Sequence, residues 1–552
     1  MPIATFLLED LRTLIDANPD QLVSQAFAYG LEATVQGDSL EVEVTAERPD
    51  LLSSEGFSRA LKVYQGVQRL LPASLESANR VVQVDPSVLP LRPHIAALVV
   101  ENLRFTTASF SAFIQFQEKV TQTFGRQRQK SAIGLYDLHR IQGNLTYRAV
   151  EWDSLEFVAL GDDRPRTPRE ILHHHPKGLQ YSNTIAPGTL VPVLQDEGNQ
   201  VLAMPPIVNA AIVGEITVET TALFIDVTGT SPKTVQELVN ILAHNFIDRG
   251  ATVKTVEIQD LTTGITLQTP DLTPRSISFS AKLLNEILGT YIPKPDLGRY
   301  LERMNLHAIG TNVVEVPSYR TDILSEVDLA GDLLVAVGLE NLQADYSDFK
   351  FYTGQGDRLK VFAHQVGDWA QRMGLLEVKS YVLTDPERLA GFVTDPATLL
   401  TAQNARSRSH SAARTTLQAG LLEILSRHIQ APKPLSVYEI GDVILGQSEN
   451  DRVEQAIYWG FACLDAHASF SMAKSYIQTL LRALHIPFQL ADCSYPQYIP
   501  YRAAIVLGQE QVLGHFGEIH PQILEQFCFP EPVCAGELNC NLLGFNSAMY
   551  GG

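Results

Sequence analysis

The sequence predicts a mixed α+β protein made of several domains. Its 552 residues are several times the roughly 100–200 that one domain usually contains. Short apolar stretches rich in β-branched residues alternate with segments whose apolar residues recur at helical spacing, and Pro and Gly separate them. No apolar run reaches the roughly 18–20 residues needed to cross a bilayer. The N-terminal stretch carries Glu9 and Asp10 in place of a basic leader, so we expect a cytoplasmic protein with no membrane span.

The charge balance excludes a large basic surface. Lys and Arg number 42 against 62 Asp and Glu, which gives a formal net charge of −20. Because RNA binding usually requires a surface that neutralises phosphates, any RNA contact must be local or shared with a partner. The cysteines form no C-x-x-C pair, so we expect buried thiols rather than zinc ligands or disulfides. They are Cys463, Cys493, Cys528, Cys534 and Cys540.

Residues 1–75 predict a small α+β unit. The stretch "LLEDLRTLIDAN" has helical spacing, "SLEVEV" alternates as a strand does, and "SSEGFSRALKVY" resumes a helix. An Arg-Pro-Asp turn separates that strand from the second helix. It places Arg48 and Asp50 close to Glu55 with no visible catalytic partner.

Residues 80–265 predict a larger mixed domain. Its strands include "HIAALVVENL", "LVPVLQD" and "TALFIDVTGT", and "TVQELVNILAHNFIDRG" is a helix. The Thr- and Pro-rich stretch 262–276 predicts a connector, and a small α/β unit over 275–345 follows it. In residues 350–545 the order of helices and strands predicts an antiparallel sheet flanked by helices.

Acidic residues cluster in "YRTDILSEVDLAGDLL". Asp322, Glu326 and, in part, Asp328 can share one side of a helix, and Asp332 follows four residues later. Carboxylates this close repel unless a cation or an arginine lies among them. A hard divalent ion such as Mg²⁺ fits this pattern. Asp322 as a helix N-cap with solvated neighbours fits it equally well.

Two other motifs carry little chemistry. Three imidazoles stand in a row in "HHHPKG", but adjacent side chains point in different directions and cannot all bind one metal, so a surface turn is expected. The glycine-rich "GQGDR" lies in a linker before a helix and lacks the strand-loop-helix context of a phosphate-binding loop.

Nine motifs in order resemble one family over nearly the whole length. They are "ERPDLLSSEGFSRAL", "SAIGLYDL", "HPKGLQY", "MPPIVN", "LFIDVTGT", "YRTDILSEVDL", "YEIGDV", "ASFSMAKS" and "GHFGEIHPQILEQF". The family is the β subunit of phenylalanyl-tRNA synthetase, in its archaeal and eukaryotic variety. The chain has no room for the additional oligonucleotide-binding and anticodon-binding modules of bacterial β subunits. In this family the segment around Arg48 is structural, so Arg48 should hold turn and helix start together through its five donors.

The resemblance implies a division of labour between two subunits. The α subunit would activate phenylalanine with ATP, and this chain would complete an α₂β₂ heterotetramer that charges tRNA(Phe). Residues 350–545 would be a class II synthetase-like domain that has lost its chemistry. The sequence agrees, because it has no C-terminal Gly-rich segment ending in Arg.

The resemblance also implies that residues 80–265 hydrolyse tyrosine mischarged onto tRNA(Phe). A pocket that hydrogen-bonds the phenolic hydroxyl can select this error, which a phenylalanine pocket excludes poorly. No Ser-His-Asp or Cys-His set is present, so water is expected to attack the ester without a covalent nucleophile. Motif matching places the pocket at His175, Lys177, Gly178, Tyr181, Leu194, Met204, Pro205, Asn209, Asp226 and Thr228.

The sequence departs from the family pattern at several positions. Ala203 stands where a serine is usual, which removes a hydrogen bond of about 0.5–1.5 kcal/mol. Gly331 replaces an acid and leaves Asp322, Asp328 and Asp332 as candidate Mg²⁺ ligands. Tyr495 and Tyr501 stand where histidine and glycine are expected, so the turn at Tyr501 should differ, because a tyrosine lacks glycine's access to positive φ. The alternative is therefore a structural or binding homologue whose editing site has decayed.

Overall fold

The computed structural model contains two compact units, residues 1–349 and 350–552. Among the described residues, no helix is long and apolar enough to span a membrane. The division of residues 1–349 into three of the four predicted domains stays a prediction, because the contacts group these residues together. The structure describes residues 2–67, 75–185, 188–342, 351–393, 399–447, 452–508 and 511–543.

The first unit begins with a three-stranded antiparallel sheet in the order β1-β3-β2, together with three helices. The sequence predicted β3 and helices corresponding to α1 and α3, and it missed β1, α2 and β2. The elements are β1 Ile3–Leu7, α1 Leu8–Leu14, α2 Pro19–Ala28, β2 Ala33–Gln36, β3 Ser39–Glu43 and α3 Ser54–Tyr64.

The central sheet has ten strands in the order β10-β9-β8-β7-β4-β12-β5-β11-β6, with β13 on β12. Within this sheet, only the β4–β12 and β4–β7 pairs are parallel among the described strands. Its elements are β4 Glu76–Val84, β5 His94–Glu101, α4 Thr107–Gln122, β6 Ser131–Asp137, β7 Leu145–Glu151, α5 Pro168–His174, α6 Pro176–Tyr181, β8 Leu190–Asp196, β9 Val201–Met204, β10 Val208–Asn209, α7 Ala211–Gly214, β11 Leu223–Gly229, α8 Pro232–Asp248, β12 Thr252–Asp260 and β13 Thr266–Thr269.

A second three-stranded sheet, in the order β14-β16-β15, completes the first unit with three helices. The predicted connector 262–276 is wrong in part, because it contains β13 and the start of β14. Thr266 and Thr269 pair with β12, and the Thr269 hydroxyl donates to the Ala97 carbonyl at 2.8 Å. The elements are β14 Arg275–Ser278, α9 Ala281–Leu288, α10 Lys294–Arg303, β15 His307–Ile309, β16 Val313–Val316 and α11 Glu326–Val337.

The second unit is built on a seven-stranded sheet in the order β17-β20-β21-β25-β24-β23-β22. All its neighbours are antiparallel except β17 and β20. The strands β18 and β19 form a separate pair. The elements are α12 Arg358–Arg372, β17 Leu376–Glu377, β18 Leu383–Thr384, α13 Pro386–Leu389, β19 Ala412–Ala413, α14 Gln418–Arg427, β20 Leu435–Gln447, β21 Val453–Leu464, α15 Phe470–Ala483, β22 Gln489–Asp492, β23 Tyr498–Gly508, β24 Gln511–Ile519, α16 Pro521–Gln526, β25 Val533–Asn539 and α17 Cys540–Leu543.

The buried turn of the N-terminal unit is held by two arginines. Arg48 donates from Nε and Nη2 to both oxygens of Asp50, at 2.9 and 2.8 Å, and from Nη1 to the Tyr29 hydroxyl at 3.0 Å. Glu55 does not join this group but pairs with Arg249. The prediction that Arg48 fixes the turn is confirmed, whereas the start of α3 depends on a residue that is distant in sequence.

Two predictions about the second unit need correction. Tyr501 adopts a φ of +64° in an irregular stretch of β23 and is fully exposed, so the tyrosine keeps the left-handed backbone instead of losing it. Full exposure removes any clash of its ring, although a left-handed tyrosine is strained. The thiols of Cys463, Cys534 and Cys540 are buried as predicted, but Cys528 is exposed and Cys493 is half-buried.

Candidate active site

A cavity of about 160 Å³ opens beside β11 and β6 in the central sheet. The β9–β10 hairpin and the first turn of α6 supply its other walls. Gln117 of α4 also lines it, so polar side chains from five different elements meet one small volume, although they are far apart in sequence. The lining residues are Gln117, Arg128, Ala132, Ile133, Gly134, Tyr136, Leu160, Lys177, Pro205, Pro206, Ile207, Val208, Asn209, Asp226 and Thr228.

Strand register determines which groups face the cavity. Asp226 lies opposite Gly134, and Thr228 lies opposite Ala132, on adjacent antiparallel strands. Directly opposite residues share a face of the sheet, as do residues two apart along a strand. A Cβ atom on Gly134 would lie 2.2 Å from Asp226 Oδ1 and 2.1 Å from the Tyr136 hydroxyl oxygen. Glycine is therefore required at this position for the contact between those two side chains.

Asp226 is the central acid of the cavity. It is only 1% exposed, and its Oδ1 accepts a hydrogen bond of 2.5 Å from the Tyr136 hydroxyl. Burial raises the pKa of Asp226 to about 6, although the Tyr136 hydrogen bond and the Arg92 charge oppose this rise. Burial also raises the pKa of Tyr136 well above its usual value, so this phenol remains a donor. Oδ2 of Asp226 has no hydrogen-bond partner in the part of the chain that the structure describes.

Thr228 is held by a buried arginine outside the cavity lining. Arg92 donates from Nε to the Thr228 hydroxyl at 3.0 Å and from Nη2 to the Thr228 carbonyl at 2.6 Å. Burial lowers the pKa of Arg92 to about 10, which leaves it cationic at neutral pH. A cation cannot remove a proton from the hydroxyl, so Thr228 is positioned by Arg92 and is not activated as a nucleophile.

A second arginine joins the cavity walls. Arg128 Nη1 donates to the carbonyls of Pro206 and Ile207, each at 3.0 Å, and its guanidinium lies 4.3 Å from the centre of the Tyr181 ring. These contacts tie the loop before β6 to the β9–β10 turn and to α6. Burial lowers the pKa of Arg128. The arginine therefore holds its own loop against two other segments of the cavity wall.

The structure brings five of the ten predicted pocket residues to the cavity lining: Lys177, Pro205, Asn209, Asp226 and Thr228. Leu194 and Met204 are fully buried in the core, and Tyr181 lies beneath Arg128. Gly178 packs where a Cβ would lie 1.9 Å from the Ile171 carbonyl oxygen. His175 caps α6 by accepting from the Lys177 amide, while His173 and His174 end α5 instead of forming the expected turn.

Sequence reasoning missed the residues that set the chemistry of Asp226. Gly134 and Tyr136 both belong to the motif "SAIGLYDL", which indicated only the family and not a site. The alternation of Ala132, Gly134 and Tyr136 was a usable signal that one face of β6 differs from the other. Ala203 is buried on β9 opposite Asn209. It is not among the residues that line the cavity, so a hydroxyl there would act through Asn209.

The predicted Mg²⁺ site stays a prediction, and in this structure Arg320 pairs with two of the three candidate ligands, Asp322 and Asp332. Arg320 donates from Nε and Nη2 to the two oxygens of Asp322, at 2.9 and 2.7 Å, and from Nη2 to Asp332 at 2.8 Å. The arginine thus supplies the positive charge that these carboxylates need. Asp328 accepts from the Ser325 amide at 2.7 Å, so Ser325 and Asp328 form the capping box of α11 and Asp322 is not the N-cap. Within the described residues no group of three or more His, Cys, Asp or Glu could hold a metal.

The seven-stranded sheet carries a row of polar groups whose partners are other residues of the same chain. Glu439, Gly460 and Glu537 are register partners across β20, β21 and β25, and His515 lies opposite Glu537. Arg414 Nη1 donates to Glu439 Oε1 at 2.8 Å, and both side chains are buried.

The rest of this row is also satisfied internally. Glu537 Oε2 accepts from the Thr416 hydroxyl at 2.7 Å and from the Leu417 amide at 3.1 Å. The Leu417 side chain lies over Gly460, where an added Cβ would approach it to 2.9 Å. Leu417 thereby covers the middle of the row, and the charged groups on either side already have partners.

Comparison with known proteins decides the family. Residues 277–339 match the family model of the tRNA synthetase B5 domain, and residues 343–540 match that of the phenylalanyl tRNA synthetase beta chain CLM domain. A protein of Archaeoglobus fulgidus named phenylalanine–tRNA ligase beta subunit is 31% identical over 551 residues, which cover 98% of each chain. The chain belongs to the phenylalanine–tRNA ligase beta subunit family.

Other members of the phenylalanine–tRNA ligase beta subunit family agree. The protein of that name from Thermococcus sibiricus is 31% identical over 497 residues, covering 89% of this chain and 88% of the relative. The crystal structure of an N-terminal fragment of the phenylalanyl-tRNA synthetase beta subunit from Pyrococcus horikoshii matches with a TM-score of 0.58 and 29% identity. It covers 61% of this chain and 99% of the fragment. The resemblance given by the nine motifs is confirmed, and these relatives are archaeal.

Proposed function

We propose that this chain is the β subunit of an α₂β₂ ligase that attaches phenylalanine to tRNA(Phe), and that its cavity removes tyrosine attached in error. The observation that carries the editing role is Asp226, a buried carboxylate that already binds one phenol and has a second oxygen without a partner among the described residues. The relatives' name, beta subunit, supports the expectation of a companion chain.

The cavity suits an aromatic side chain with a hydroxyl. Its volume of about 160 Å³ is close to the roughly 150 Å³ of an engineered cavity that holds benzene. A tyrosine hydroxyl would donate to the free oxygen of Asp226. Phenylalanine would leave that oxygen buried without a donor, and unsatisfied groups of this kind allow strong discrimination. The same site would therefore accept the wrong ester and reject the right one.

The chemistry supported by the lining is direct hydrolysis. A water molecule adds to the ester carbonyl carbon, the bond from that carbon to the ribose oxygen breaks, and the ribose oxygen receives a proton. The Thr228 hydroxyl is bound to Arg92 and has no base, and no Ser or Cys is among the lining residues that the structure describes. Orientation of water by backbone groups and by the substrate is therefore the expected mechanism.

The second unit fits a synthetase-like sheet that does not activate amino acids. ATP chemistry requires cationic groups free to bind the triphosphate. On this sheet Arg414 is bound to Glu439, to the Ser380 hydroxyl at 2.8 Å and to the Asp442 carbonyl at 2.8 Å. If the isolated chain catalysed phenylalanine-dependent exchange of pyrophosphate into ATP, this part of the proposal would be wrong.

Deacylation tests the editing role. The full-length chain is co-purified with its α partner, and the loss of tyrosine from tyrosyl-tRNA(Phe) is timed. Asp226→Ala should lower kcat/KM by about 100-fold, because it removes the hydrogen-bond acceptor for the phenol. Asp153→Ala is the matched control, since Asp153 is exposed, pairs with Arg169 and lies outside the cavity.

Two outcomes would favour the alternative of a structural homologue. One is a wild-type complex that leaves tyrosyl-tRNA(Phe) as stable as buffer does. The other is that native mass measurement detects no α₂β₂ complex of the two chains. This result would contradict the proposed assembly itself.

A further inference from the structure

The loop that joins α4 to β6 has an unusual backbone. Arg126, Gln127 and Arg128 adopt φ values of +47°, +52° and +66°, so three consecutive residues with side chains are left-handed. L-residues avoid this region, and those that enter it do so singly. A strained backbone of this kind persists where the surroundings impose it, and it occurs most often at functional sites.

The surroundings hold this left-handed turn firmly. Arg92 Nη1 donates to the carbonyls of Arg128 and Gln129, at 3.0 and 3.2 Å. The Lys130 amide returns to the Gly125 carbonyl at 2.9 Å. Arg128 ties the turn to the cavity wall through the carbonyls of Pro206 and Ile207. The turn thus shares Arg92 with Thr228 and is fixed at the mouth of the cavity.

The turn carries three cations within six residues of a chain whose net charge is −20. Arg128 is used for the wall, but Arg126 is exposed, and its side chain makes no ion pair or hydrogen bond within the described residues. Lys130 is half-exposed, and its charge acts to lower the pKa of Glu237. Glu237 already pairs with Lys233. Lys177 adds a fourth positive charge in the cavity lining.

We propose that Arg126 and Lys130 bind phosphates of the RNA strand whose terminal ester enters the cavity. This inference rests on the proposed editing function. When the tyrosyl ester lies near Asp226, the ribose of the terminal nucleotide lies closer to the cavity opening. The phosphate of that nucleotide then lies at the opening. Arg126 and Lys130 lie two residues before and after Arg128 in the cavity wall, so they are placed to contact the phosphate. Backbone contacts of this kind position an RNA strand without reading its sequence.

The test compares two substrates with the full-length chain and its partner. One is a short single-stranded RNA carrying a 3′-tyrosyl ester, and the other is 3′-O-tyrosyl-adenosine, which has no phosphate. Arg126→Asn with Lys130→Gln removes both charges, and asparagine tolerates the left-handed backbone. For the RNA ester we expect KM to rise about 5- to 30-fold with kcat unchanged. For tyrosyl-adenosine both constants should stay at the wild-type values.

Salt dependence gives a second readout. Binding of the same RNA with an uncleavable 3′-tyrosyl amide is followed by anisotropy, and the slope of log Kd against log salt should fall by about 0.7 for each lost contact. Lys282→Ala, which removes an exposed charge on α9, should leave the slope unchanged. Wild-type KM and slope in the double variant would overturn the inference.

The two proposals fail separately. If the wild-type chain cleaves neither ester, the editing function is wrong, yet the salt slope with the amide still decides whether the loop binds RNA. If it cleaves both esters and the double variant does so equally well, only the loop inference is wrong.

Discussion

The cavity beside β11 and the polar row on the seven-stranded sheet differ in how their charged groups are satisfied. In the cavity, Asp226 has one bound oxygen and one without a partner among the described residues, and its pKa is raised to about 6. In the row, Glu439 and Glu537 each accept at least two hydrogen bonds or ion pairs. A site open to a ligand keeps an unsatisfied group, whereas a filled site uses the same residue types for stability.

The glycines of the two regions show the same contrast. At Gly134 the space of the missing side chain holds the hydrogen bond between Tyr136 and Asp226. At Gly460 the corresponding space is filled by Leu417. In the cavity, glycine serves a polar contact that faces a ligand-sized volume. In the row, glycine serves packing of the chain against its own sheet.

The largest effect should follow from breaking the filled row. Arg414→Ala leaves Glu439 buried without its cation, and loss of one partner of a buried ion pair costs about 3–5 kcal/mol. Chemical unfolding followed by the fluorescence of Trp459, which is buried in this unit, measures the change. Arg408→Ala is the control, because the Arg408–Glu387 pair is exposed and should contribute less than about 1 kcal/mol. Equal midpoints for both variants would show that the row is not what stabilises this sheet.

The helices and strands that the sequence predicted are present because their periodicity is local. The strand containing Asp226 and Thr228 was placed correctly, and their spacing of two was enough to put them on one face. The partners of those residues come from other elements: Tyr136 is 90 positions from Asp226, and Arg92 is 136 positions from Thr228. Strand order and register decide such contacts, and local patterns in a single sequence do not reveal which strands pair.

The acidic cluster shows a related limit. Spacing suggested a helix carrying Asp322, but the helix begins at Glu326, and the arginine that these carboxylates need is Arg320, which precedes the helix. Arg320, two residues before Asp322, supplies the positive charge that the carboxylate needs. The same arrangement occurs at Arg48 and Asp50, so "Arg-x-Asp" in this chain marks an ion-paired turn in both places.

A smaller effect, of opposite sign, should follow at the open site. Asp226→Asn removes a buried charge whose pKa is raised to about 6, so the wild-type carboxylate destabilises the folded state above pH 6. The variant should be more stable at pH 8 by on the order of 1–3 kcal/mol. Towards pH 4 the wild-type acid takes up its proton, and the difference should disappear. Urea unfolding of both proteins at pH 5, 6, 7 and 8 measures it.

The same variant should lose its preference for tyrosyl esters, since the anionic acceptor is gone. A stabilised protein with weakened editing is the expected trade-off between stability and function. An Asp226→Asn protein that is less stable than wild type at pH 8 would mean that Tyr136 and Arg92 outweigh the cost of burying the carboxylate.

The smallest effect should come from Tyr136→Phe, which keeps the ring and removes only the hydroxyl. The hydrogen bond from this hydroxyl lowers the pKa of Asp226 against the effect of burial, so without it the carboxylate should take up a proton at higher pH. The acid limb of kcat/KM for tyrosyl-tRNA deacylation, measured from pH 5 to 8, should move up by at most about one pH unit. The filled row offers the contrast: Tyr498→Phe, which removes a buried hydroxyl bound to Gln418 and His515, should cost stability and leave this profile in place. If Tyr136→Phe also left the profile unchanged, the phenol would be packing against Asp226 without tuning it, and the open site would resemble the filled one more closely than its geometry indicates.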